Sequence, residues 1–211
     1  MKRNNLPVIL CFLFLAFACN NEHTETNPST NTNTPDTNTT ADNAPAPVHL
    51  VIDISPMDMS YFPVDYPKIK MANANVAPPV MRVIYSRPHL ENRHLFQNLL
   101  KYNEPWRLGA NESTEIEFYK PVSIQDKKIA PGRYIIYCIP QPQTWTIVLN
   151  LNVDSWGLHQ DTVKDLHKFD IPVITTNPIQ EYFTMVFEKT ADGADLVISW
   201  ENLLARLPIK F

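Results

Sequence analysis

From Val48 onward, apolar and polar residues alternate in short runs, and Pro, Gly, Asn or Asp cuts each run off. "VHLVIDI" (48–54), "VMRVIYS" (80–86), "TEIEFY" (114–119), "RYIIYCI" (133–139), "TWTIVLN" (144–150), "EYFTMVFE" (181–188) and "ADLVISWE" (194–201) are rich in β-branched and aromatic residues. That combination of length, composition and period-two alternation predicts strands. The breaks carry turn chemistry: Pro131-Gly132 suits a type II turn, and Asp192-Gly193 marks a hairpin between the last two long runs. One segment has helical spacing instead. In "ENRHLFQNLLKY" (91–102), Leu95, Leu99 and Tyr102 would share a face and Asn92 would cap the start. "SWENLLARLPIKF" predicts a closing strand, with Pro208 near a sheet edge because proline cannot donate to a ladder. With 19 prolines and 4 glycines the chain opposes a helical architecture. The expectation is an all-β fold: an antiparallel β-sandwich or jelly-roll-like domain over 48–211 with one short helix near 91–102.

The first 47 residues follow another pattern. Met1-Lys2-Arg3 is a positive n-region, and Leu6 to Ala18 is an apolar run too short to span a bilayer, so residues 1–18 read as a cleaved export signal. Ala16-Phe17-Ala18 satisfies the small-x-small rule for ordinary cleavage, and Cys19 after the cut resembles the lipidated cysteine of bacterial lipoproteins. Phe17 departs from the small residue usual there. Both readings cut the same bond, and the long polar stretch that follows favours lipidation of Cys19 over a soluble secreted product. The stretch from Asn20 to Pro47 has no aliphatic residue larger than alanine and cannot bury enough surface to offset its ordering entropy, so 19–47 reads as a lipidated cysteine with a disordered tether. As a flexible coil its reach is roughly 30 Å.

Charge narrows the partners. Without Lys2 and Arg3, 16 basic residues face 22 acidic ones, a formal charge of −6, which opposes nucleic acid as a partner. With Cys11 removed and Cys19 lipidated, Cys138 remains as a small buried hydrophobe and no disulfide framework is expected. His89 and His94, five apart, fit neither a helical metal pair nor a finger, and His159 and His167 read as solvated, so no metal and no cofactor are expected. Phosphate-loop, nucleophile-elbow and Cys-x-x-Cys signatures do not occur.

In chain order, "DISPMDMSYFPVDYP" (53–67), "VIYSRP" (83–88), "NRHLF" (92–96), "WRLGANESTEI" (106–116), "IAPGRYIIYCIP" (129–140), "WTIVLN" (145–150), "WG" (156–157) and "LVISWENLLARLPIKF" (196–211) resemble the bacterial family catalogued as domain of unknown function 2911, DUF2911. Trp106-Arg107-x-Gly109-Ala110-Asn111-Glu112-x-Thr114 is the most specific piece. Where that family usually has Lys-Gly-Arg, this chain has Glu91-Asn92-Arg93; where it often has Phe-Gly-x-Leu-Val-Pro-Tyr-Gly, this chain has the run from Phe96 to Asn103. The resemblance implies a fold and a compartment and carries no reaction over.

The polar residues between Arg87 and Glu117 are the candidates for chemistry. Arg87, Arg93 and Arg107 offer forked donors, and Glu112, Glu115 and Glu117 offer acceptors. One reading is architectural: Arg107 or Arg93 pairs with Glu112, Asn111 bonds loop backbone, Gly109 takes a positive φ and Trp106 plugs the core. The other is a concave site for a small anionic or carbohydrate ligand, with Arg87 and Arg107 holding it, Asn111 donating and accepting, and Trp106 or Trp156 stacking. Glu112 with Asp161 or Glu104 would be the carboxylate pair of a catalytic version. The expected protein is therefore exported to the cell envelope, membrane-bound through Cys19 and anchored in the outer membrane, and acts as a non-catalytic ligand-binding or scaffolding domain. The alternatives are a small envelope enzyme acting on carbohydrate or peptide, an assembly subunit that offers a sheet edge to a protein partner, and a soluble periplasmic or secreted protein.

Overall fold

The computed structural model describes residues 54–211. The signal segment, Cys19, the tether and all but the last residue of the expected strand 48–54 lie outside the described residues.

Among the described residues nine strands pair antiparallel throughout. They are β1 (Met57–Phe62), β2 (Met81–Ser86), β3 (Glu115–Phe118), β4 (Val122–Ile124), β5 (Lys127–Ile129), β6 (Gly132–Pro140), β7 (Thr144–Asn150), β8 (Asp165–Lys189) and β9 (Gly193–Lys210). Their spatial order is β1-β2-β3-β6-β7-β8-β9-β4-β5. Alternation sets which face is buried: Met81, Val83 and Tyr85 of β2 point inward, as do Ile116 and Phe118 of β3. β6 and β7 sit in the middle of the order and are covered on both faces, which is why "YIIYCI" is apolar without a break.

The two longest strands fold the sheet over. A straight strand of the 18 residues of β9 would span roughly 60 Å. Its ends nevertheless meet. Phe211 N donates to Asp192 O at 3.3 Å, Lys210 Nζ lies 2.8 Å from Asp192 Oδ2, and Arg206 bridges to Asp195 and Glu188. The turning point is Glu201, with φ 53°, opposite the irregular pairing of β8 between Thr175 and Thr184. The first part of β8 thus pairs with β7, and the last part returns against β1 and β2. There Phe183 N donates to Pro88 O at 2.9 Å and Ser60 Oγ to Met185 O at 2.6 Å. Aromatic side chains fill the space between the layers, with Tyr85 edge-on to Phe183 and Phe62 edge-on to Phe187. The domain is sandwich-like, as the strand pattern predicts.

Local elements differ in extent from the periodicity. The helix expected near 91–102 is a single π turn, Leu95–Leu99, because Glu91 and Asn92 have positive φ and cannot continue a right-handed helix into it. Asn92 does not cap it; His94 occupies the cap position, and its N–H donates to Asn98 Oδ1 at 2.8 Å. A seven-residue helix α1 (Tyr66–Ala72), with Pro67 in its first turn, was not expected. No helix among the described residues is long and apolar enough to cross a membrane.

Candidate functional site

The loop between the π turn and β3 runs along β6 and then leaves it. Trp106 N donates to Cys138 O at 2.7 Å, Cys138 N to Trp106 O at 2.8 Å, and Ile136 N to Thr114 O at 3.0 Å. The seven residues 107–113 therefore leave β6 and rejoin it within two positions, as an Ω-shaped excursion does. Internal bonds hold the excursion: Thr114 Oγ1 to Leu108 O at 2.5 Å, Trp106 Nε1 to Gly109 O at 3.4 Å, and Arg107 Nη1 to Asn111 O at 2.5 Å. Gly109, at φ 153°, backs onto Ser86, where an added Cβ would lie 3.0 Å from the carbonyl oxygen.

Beneath the excursion lies the aromatic anchor. Trp106 is stacked on Trp200 of β9 and edge-on to Trp145 of β7 and Phe183 of β8, joining both layers. A side chain of this size buries roughly 150–250 Å², on the order of 4–6 kcal/mol before ordering entropy. Trp145 Nε1 is buried without a hydrogen-bond partner among the described residues.

Above it opens a cavity of about 480 Å³, within the range of small-molecule sites. Trp106, Trp200, Leu99, Leu100, Pro88 and Pro105 form its apolar walls; Arg107, Arg93, Lys101, Glu104 and His89 supply its polar groups; Ser55, Gly157 and Leu158 reach it from two other loops. Arg107 Nη1 donates to two backbone carbonyls, Asn111 O and, at 3.4 Å, Trp156 O. No carboxylate stands within ion-pair distance of it among the described residues. Desolvation pulls the guanidinium below its ordinary pKa, while the more distant charge of Glu112 pushes it up, and the group stays cationic.

The expected site residues divide. Arg93, Trp106 and Arg107 share the cavity wall. Arg93 faces partners of its own: Nε donates to Leu90 O at 2.8 Å, Nη2 to His89 O at 3.1 Å, and Glu91 lies 3.7 Å away. Arg87 is elsewhere, tied to Asp58, Phe183 O and Thr184 between β1 and β8. Asn111, at φ 58°, donates to Ser55 O at 3.3 Å and holds the segment before β1 against the loop. Glu112 is exposed and makes no ion pair with Arg107 or Arg93, so the expected Arg–Glu112 tie is replaced by bonds from arginine to backbone carbonyls. Of the carboxylates considered for catalysis, Glu104 lines the cavity and Glu112 and Asp161 do not. Trp156 is 56% exposed at the rim and contributes its carbonyl to Arg107.

Lys101, Leu99, Leu100 and Trp200 are cavity residues that sequence reasoning assigned elsewhere. Leu99 and Trp200 read as helix face and strand core, and only the fold brings them beside Arg107. Among the described residues no group of three or more His, Cys, Asp and Glu could hold a metal ion. His89 stacks on Tyr182, and His94 bonds Glu201 at 2.8 Å. Burial pushes the Cys138 thiol up, which suits packing rather than nucleophilic use.

Comparison with known proteins places residues 67–209 within a family model described as "Protein of unknown function (DUF2911)". No curated protein and no solved structure matches.

Proposed function

The chain belongs to the DUF2911 family, and from that premise we propose that it is a cell-envelope lipoprotein, outer-membrane-anchored through Cys19, whose β domain binds a small anionic or carbohydrate ligand without transforming it. One observation carries the binding reading. Arg107 lines a cavity of about 480 Å³ and, among the described residues, is bonded only to backbone carbonyls. Arg133 has its fork closed by a carboxylate, holding both oxygens of Glu115, whereas Arg107 leaves one edge of its guanidinium unbonded among the described residues. The apolar wall of Trp106 and Trp200 beside a cation is the mixture that recognises and orients a small ligand.

At the β5 end of the strand order the sheet-edge alternative finds less support. β5, at one end of the strand order, is three residues long and carries Lys127 and Lys128, a composition that discourages strand addition.

The reading is tested by titrating the mature chain with a panel of small carboxylates and acidic and neutral sugars, following tryptophan fluorescence and calorimetry. At least one compound should bind, and Arg107→Ala should weaken it by about 10- to 100-fold, the value of one charged hydrogen-bonded contact. If no compound binds, the cavity is a packing defect of the loop and the reading falls. Turnover of any glycan or peptide, lost in Glu104→Gln, would overturn its non-catalytic part.

A further inference from the structure

Resting on that binding reading, we propose that the ligand is an amphipathic monocarboxylate: one carboxylate taken side-on by Arg107, and an apolar body laid against Leu99 and Leu100 beside Trp106. The first support is which donors are free. Arg107 uses Nη1 for Asn111 O and Trp156 O. Nε and Nη2, which point the same way along one edge of the guanidinium, make no bond to the protein among the described residues. That edge matches the two oxygens of a carboxylate. The same edge of Arg133 holds Glu115, with Nε 3.0 Å from Oε2 and Nη2 2.8 Å from Oε1.

The second support is the charge balance of the cavity. Arg93 stands beside Glu91 at 3.7 Å, and Lys101 beside Glu104 at 3.5 Å. Of the three arginine and lysine cations on the wall, only Arg107 lacks an acid within ion-pair distance among the described residues. One unmatched cation selects one negative charge. A phosphate, with nearly two charges and three acceptor oxygens, would need a second open donor set, and the donors of Arg93 turn to Leu90 O and His89 O.

The third support is the wall. Apolar lining comes from Leu99, Leu100 and Leu158, with the small exposed parts of the largely buried Trp106 and Trp200, a surface that a fully hydroxylated sugar leaves unmatched.

The test uses the mature chain and four probes: 3-phenylpropionate, its uncharged amide, inorganic phosphate and glucose. Binding is followed by calorimetry and tryptophan fluorescence. The carboxylate should bind at least tenfold more tightly than the amide, and phosphate and glucose more weakly still. Arg107→Lys keeps the charge and loses the fork; it should lower carboxylate affinity about tenfold and leave the amide unchanged, with an unaltered circular dichroism spectrum showing that the fold is kept. Equal affinity for acid and amide overturns the carboxylate assignment while leaving the cavity a binding site. Tighter binding of phosphate or glucose does the same. If none of the four binds but another member of the wider panel does, the ligand class is wrong and the binding reading stands; silence across the whole panel removes both.

Discussion

Gly193 opens β9 and meets the other end of the same strand: a Cβ added to it would lie 2.0 Å from Ile209 O and 2.9 Å from Lys210 Cα. Its φ is not in the left-handed region, so the glycine is required by close approach of backbone rather than by a turn. Asp192-Gly193 reads in sequence as a hairpin pair, and Thr190 N does donate to Gly193 O at 3.1 Å, but the turn alone would tolerate other residues. Gly193→Ala must push apart two backbone segments within a packed sheet, a cost of more than about 2 kcal/mol. Urea unfolding followed by circular dichroism should show that loss as a lower midpoint with an unchanged slope. A change below about 0.5 kcal/mol would mean that the ends of β9 do not meet.

At the scale of elements, the π turn shows how asparagine replaces glycine. Asn92 at φ 62° and Asn103 at φ 65° stand where the resembling family pattern has glycine, and both take the left-handed conformation that asparagine tolerates better than other side chains. Asn103 N donates to Pro140 O at 2.8 Å, and the preceding Tyr102 stacks on Phe96 at 3.9 Å between centroids, so this corner sets the path into Trp106. Asn103→Gly should leave stability within about 0.5 kcal/mol, and Asn103→Ala should cost about 1 kcal/mol, lowering the melting temperature by roughly 2–4 °C. Equal melting temperatures for the alanine and glycine variants would sink this account. The same corner explains what the sequence carries and what it hides. Strands with strict alternation, such as "VMRVIYS" and "TEIEFY", lie within a residue of where the pattern puts them, because one face is buried and period two follows. Leu95, Leu99 and Tyr102 have helical spacing, yet only Leu95 is fully buried, so little packing favours extending the turn. The first half of β8 does not read as a strand because Pro172 and Pro178 interrupt a largely exposed run. The cavity is hidden for a different reason: residues 54–55, 88–89, 93, 99–101, 104–107, 109–110, 157–158 and 200 meet only after β8 and β9 fold over.

On the scale of the whole molecule, the β domain and the polar leader have separate tasks under the proposed reading. The cavity depends on the doubled β8–β9 hairpin, which places Trp200 against Trp106 and Glu181 against the loop, where Glu181 accepts from Trp200 Nε1, Leu90 N and Glu91 N. None of these residues belongs to the leader, so binding and membrane attachment should be separable. The proposed anchor at Cys19 adds an apolar chain whose transfer into a bilayer is worth about 0.8 kcal/mol per buried methylene, whereas the 28 Asn-, Thr- and Pro-rich residues from Asn20 to Pro47 include no aliphatic side chain larger than alanine. Cys19→Ala should therefore move the protein from the membrane fraction to the soluble fraction, cleaved after Ala18 by the ordinary small-x-small signal, with ligand affinity unchanged within twofold. Fractionation with immunodetection, paired with the calorimetric titration, reads both quantities on one preparation. Undiminished membrane association of the alanine variant would remove the lipid anchor and leave the domain itself as the membrane-binding part. A joint loss of attachment and affinity would show that the cavity needs the membrane surface, which contradicts a site built entirely from the residues of the β domain.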